Sequence, residues 1–151
     1  IARDADSVHL SSWYVENPEF INAELDSKWD KIIKLRKEVN KVLEKARQGE
    51  NRIIGNSLDA EVSLFIGNDE YKSLLADKEL LEMIFIISKL NIVETKDDSF
   101  TESEELKDIS IKVAHATGEK CERCWKYSEE LGTHEEHSTI CPRCTGVLVN
   151  N

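Results

Sequence analysis

The chain has 151 residues, 40% of them hydrophobic, enough for one sizeable core or a modest core with a small satellite unit. Its 30 acidic against 20 basic residues leave a net charge of -10, which argues against wholesale wrapping of nucleic acid, because counterion release needs clustered Lys and Arg. No apolar run approaches the roughly 20 residues that span a bilayer, and the first residues lack the basic and apolar regions of a signal peptide, so the expectation is a cytoplasmic protein with no membrane partner. Ile1 in place of an initiating Met, with Met83 the sole methionine, suggests a piece of a longer chain.

In chain order, Asn17-Pro18 reads as an N-cap followed by proline at the first helical position, where its missing N-H costs nothing. A long helix is predicted from there to a stop at Gly49. Leu25, Trp29, Ile32, Val39, Leu43 and Ala46 form its apolar stripe, with Arg36 in the gap as a snorkelling side chain. The same helix carries Lys28, Lys31, Lys34, Arg36, Lys37, Lys41, Lys45 and Arg47, either a local basic footprint or a solvated face with Glu and Lys interspersed. Beyond the punctuation at Gly55-Asn56, Ala60, Val62, Leu64 and Ile66 alternate with Glu61, Ser63 and Phe65 as in a strand that ends at Gly67-Asn68. The Leu- and Ile-rich stretch 70–90 predicts two short helices or one broken one, and a strand can start at Asn91. The acidic segment 95–108 has little to bury and reads as an exposed loop. Ile109, Ile111 and Val113 then alternate in a further strand, completing a small β-α-β-β layer.

All four cysteines lie in the tail. Cys121-x-x-Cys124, sixteen residues, then Cys141-x-x-Cys144 is the spacing of a four-thiolate zinc site, each pair a tight turn aiming two sulfurs at one point, with the two turns placed on facing hairpins. Disulfides do not suit a chain without a secretion signal, and a redox pair needs one Cys-x-x-Cys, not two. Four sulfurs fill a tetrahedron, so the single zinc is structural. His134 and His137 could replace a cysteine but need not, and His115 reads as an ordinary strand-end side chain. So short a segment buries little, and metal binding supplies most of its folding free energy, about 10–16 kcal/mol in zinc-finger peptides. Around the site stand Lys120, Arg123, Trp125, Lys126 and Arg143, cations and a flat ring of the kind that hold phosphates and stack a base. A knob that packs Trp125 on its neighbour fits these residues equally well, given the nearby Glu119, Glu122, Glu129, Glu130, Glu135 and Glu136.

"SVHLSSW", "WDKIIKLRKEVNKVLEKAR", "IGNSLDAEV" and "GEKCERCWKYSEELGTHEEHSTICPRC", in that order, resemble the C-terminal end of bacterial-type isoleucyl-tRNA synthetases over essentially the whole chain. The most specific parts are the Cys121 to Trp125 knuckle and Ile54 to Leu58; Tyr14, where a proline is expected after Trp13, is a departure in a loop. The resemblance implies an α+β chain in three parts: residues 1–52 from an anticodon-binding helical bundle, 53–116 as a small junction domain, and 117–151 as a four-cysteine zinc ribbon. It makes Cys121, Cys124, Cys141 and Cys144 the zinc ligands and Arg123 and Trp125 the best candidates for RNA contact. The implied partners are the anticodon stem-loop of isoleucine tRNA and upstream domains of the same chain, in a monomer. The parent enzyme would be a class I ligase using ATP. Its His-Ile-Gly-His and Lys-Met-Ser-Lys-Ser signatures and its editing domain are absent from these residues. Two other readings stay open: a DNA-binding repair module, since "HSTICPRC" also resembles the zinc finger of formamidopyrimidine-DNA glycosylases, and a structural or protein-docking knob.

Overall fold

The computed structural model describes residues 6–13, 15, 17–50 and 52–149. Tyr14 lies outside them. Asn17 caps as expected, its Oδ1 accepting the Glu19 N-H at 3.0 Å, but the element it starts is only a 3-10 turn, Pro18–Phe20. The long helix α1, Ala23–Arg47, begins at a second cap, where Asn22 Oδ1 accepts the Leu25 N-H at 3.0 Å. Two asparagines compete for the backbone within six residues, and each closes its own turn. At the far end Gly49 takes a φ of +84°, and Ala46 O accepts the Ile53 N-H at 2.8 Å, turning the chain back.

The buried stripe of α1 is Ile32, Leu35, Glu38, Val39, Leu43 and Ala46. Leu35, one residue from the expected gap, fills it, while Arg36 is exposed and donates from Nε to Ile84 O at 3.0 Å. Leu25 and Trp29 are only partly covered.

Strand β1, Ala60–Ile66, buries alternate residues as its pattern predicts. A short helix α2, Asp69–Lys72, a 3-10 stretch, Ser73–Asp77, and helix α3, Lys78–Phe85, form the broken helical crossover. They lead to β2, Lys89–Val93, parallel to β1 with Glu61 opposite Lys89, so this strand starts two residues before Asn91. The acidic segment is not all loop: Thr101–Glu102 forms β3 against β4, Ile109–His115. β4 runs antiparallel to β1, giving the order β2-β1-β4-β3. A two-residue edge strand has no readable alternation, which is why charge alone suggested a loop. The core under this sheet joins Ile32, Leu35 and Val39 of α1 to Val62, Leu64, Phe85, Leu90 and Ile111. A hairpin of β5, Glu119–Lys120, and β6, Tyr127–Ser128, and a last helix α4, Pro142–Val149, complete the tail. Among the described residues, no helix is long and apolar enough to cross a membrane.

Candidate metal centre

The first knuckle closes the β5–β6 hairpin. Cys121 donates its N-H to Lys126 O at 2.9 Å, and Trp125 donates to Cys121 O at 2.9 Å. The second knuckle is not a hairpin but the start of α4: Pro142 takes the first helical position, and Thr145 donates both its N-H and its hydroxyl to Cys141 O, at 3.0 and 3.3 Å. A proline needs no backbone partner at that position, so the knuckle can run directly into helix. The knuckles are tied by the Glu122 N-H to Thr139 O and by the Cys141 N-H to Cys121 Sγ at 3.3 Å.

The four sulfurs all lie within 4.8 Å of one another, and Cys124 Sγ is 3.7 Å from Cys141 Sγ. A tetrahedron with zinc–sulfur bonds of about 2.3 Å has edges of about 3.8 Å, so the donor set fits that ion. Burial disfavours charge on the sulfurs of Cys121, Cys124 and Cys141. At Cys121 it is outweighed by the N-H groups of Cys124, Cys141 and Arg123, which draw the thiol down to about 6. At Cys124 burial prevails, with the neighbouring thiols adding to it, and the thiol is pushed up to about 12. Coordination reconciles these opposed preferences, because a bound dication deprotonates a thiol outright. The cluster is a site for one structural zinc. His134 and His137 are not part of it; their rings stack at 5.4 Å.

The five other side chains singled out in the sequence surround this cluster unevenly. Arg123 and Trp125 project from the first knuckle, the indole 62% exposed, and Arg143 is exposed on the first turn of α4. Lys126 is half-buried, and Lys120 Nζ stands 3.9 Å from Asp59 Oδ1. His115 ends β4 with its ring edge-on to Tyr127 at 4.9 Å. Sequence reasoning passed over Ser88 and Asp59, which meet the tail from the sheet side. A lone serine between apolar runs carries no pattern that marks it.

Five of the eight basic residues of α1 pair with carboxylates, and Lys31 and Arg36 donate to the backbone carbonyls of Glu70 and Ile84. Lys28 pairs with Asp77, Lys37 with Glu105, Lys41 with Glu38, Glu104 and Glu105, Lys45 with Glu104, and Arg47 with Glu44. Most of the positive charge on this helix is thus interspersed with acidic partners.

Residues 118–145 match the family described as the zinc finger found in FPG and IleRS. That places the tail in a defined class of zinc-bearing modules. Over nearly the whole chain the similarity is to proteins named isoleucine–tRNA ligase: 44% identity over 94% of this chain in Desulforamulus reducens, 42% over 97% in Thermotoga petrophila, and 42% over 96% in Staphylococcus carnosus. The chain belongs to the isoleucine–tRNA ligase family, as a C-terminal region of it. It spans 15% of the length of each of these relatives.

Proposed function

We propose that this chain is the tRNA-binding C-terminal part of an isoleucine–tRNA ligase and that it positions the anticodon arm of isoleucine tRNA. The observation that carries the proposal is the exposed Trp125 beside Arg123 on a knuckle braced by four cysteine sulfurs, within a chain similar over nearly all of its own length to part of these ligases. A rigid indole offers a stacking face worth about 1–3 kcal/mol per base, and Arg123, Lys126 and Arg143 add charge for phosphates. Residues 1–52 would continue the helical anticodon-binding region, 53–116 would be the junction, and 117–151 the ribbon.

Catalysis is assigned to domains upstream: activation of isoleucine by ATP and transfer to tRNA, in a class I enzyme acting as a cytoplasmic monomer. The part played here is proximity. Fixing one end of the tRNA sets the register of its distant acceptor end, which converts a loose encounter into an oriented one. In the full-length ligase, deletion from Lys120 onward should abolish most tRNA charging while isoleucyl-adenylate formation continues at its normal rate. Equal loss of both activities would contradict the proposal.

A further inference from the structure

The stretch Ile54 to Leu58, among the most specific in the sequence, has no part in metal binding, and neither has Asp59 after it. The structure gives both a place at the joint between sheet and ribbon. Asp59 closes a capping box on the turn Ser57–Asp59: Oδ2 accepts the N-H groups of Gly55 and Asn56 at 3.1 and 3.0 Å, and the Asn56 side chain accepts the Leu58 N-H. The turn then presents two carbonyls outward. Asp59 O accepts the Ala116 N-H at 2.8 Å, where the chain leaves the sheet for the ribbon, and Leu58 O accepts the Ser88 hydroxyl at 2.5 Å. Ser88 Oγ in turn accepts the Tyr127 N-H, at 2.7 Å, from the first residue of β6. One hydroxyl thus links the turn, the start of β2 and the metal-bearing hairpin. Lys89 reinforces the joint, 3.3 Å from Glu129 on the ribbon and 3.9 Å from Glu61 on β1.

We infer that Ser88, with the 54–59 turn, is a positioning residue that locks the zinc ribbon to the sheet as one rigid body and so fixes the direction in which Arg123 and Trp125 point. The consequence for RNA rests on the tRNA-binding reading above; the rigid joint does not. A hydroxyl that donates to one element and accepts from another has no substitute in a methyl group. Its removal leaves the Tyr127 N-H unpaired and frees the hairpin to rotate about the 116–118 connection.

Residual dipolar couplings and amide exchange on the zinc-loaded chain test this, with Ser88→Ala and Ser88→Thr beside the wild type. In the wild type and Ser88→Thr, sheet and ribbon couplings should fit a single alignment tensor. In Ser88→Ala they should need two, with the Tyr127 amide exchanging at least tenfold faster while the Trp125 amide inside the knuckle is unchanged. A structural role without positioning would instead speed exchange throughout the sheet. Two tensors in the wild type, or one tensor and an unchanged Tyr127 amide in Ser88→Ala, would overturn the inference. The wild-type measurement decides even if a variant fails to fold. Titration of the same samples with an anticodon stem-loop of isoleucine tRNA separates the two readings: the affinity should fall at least fivefold in Ser88→Ala and recover in Ser88→Thr. No binding by any sample, with the tensors as expected, removes the RNA reading and leaves the joint standing. Equal binding by all three would remove the effect of positioning on RNA.

Discussion

Trp125 holds a φ of +65°, in the left-handed region that a bulky residue enters only at a cost of about 1–2 kcal/mol. The knuckle imposes that angle, because the Trp125 N-H must turn back to Cys121 O. Glycine would meet the same geometry without strain, so a tryptophan there sacrifices stability while leaving its ring mostly in water. If the ring serves recognition, stability and binding should separate in Trp125→Gly. We expect an unchanged or slightly raised melting temperature and an affinity for the anticodon stem-loop lowered about tenfold, the loss of one stacked base. A ring that serves packing would give a lower melting temperature and unchanged affinity. The cysteines beside it were legible from spacing alone, since metal geometry tolerates few separations. The strained backbone was not, because φ at a non-glycine residue leaves no mark on composition.

At the scale of elements, the contact between α1 and the acidic segment explains what the sequence left open. Glu38 lies in the buried stripe, 2% exposed, and its Oε2 accepts the Ser103 hydroxyl at 2.6 Å and the Glu104 and Glu105 N-H groups at 2.9 and 3.3 Å. Burial works against the charge, but Lys41, Ser103 and these two N-H groups outweigh it and hold the carboxyl down to about 2. A folded-state value below the ordinary 4.5 means that this stability is fully present above pH 4.5 and is lost as pH falls toward 2. Glu38→Gln should therefore lower stability at pH 7 by about 3 kcal/mol and flatten the acid side of the profile between those limits. Denaturant titrations across that range would show it; a variant with wild-type stability and an unchanged acid limb would refute the assignment. The helix was readable from its period and the strands from their alternation. The register of α1 was not, because a glutamate in the stripe breaks an apolar pattern that only the distant 103–106 turn makes sense of.

For the whole molecule, the net charge is -10, and on the proposed tRNA-binding reading the surface that would face RNA is the ribbon's, around Arg123, Trp125 and Arg143. Such a surface would depend on metal. The ribbon's own core is Cys121, Cys141 and Cys144 with Cys124, Leu131 and Ile140 against them, whereas the helix and sheet share a separate and larger apolar core. Chelation should unfold the tail and spare the rest. The fold class followed from periodicity, spacing and resemblance, but the joint between sheet and ribbon runs through backbone carbonyls that no side-chain pattern announces. The most direct test of the account is the affinity of the zinc-loaded chain for the isoleucine-tRNA anticodon stem-loop and for an unrelated hairpin, at two salt concentrations and again after chelation. Expected are preference for the first hairpin, a shallow salt dependence from a small number of cations, and loss of binding with the metal. Equal affinity for both hairpins, or binding that survives chelation, would contradict it.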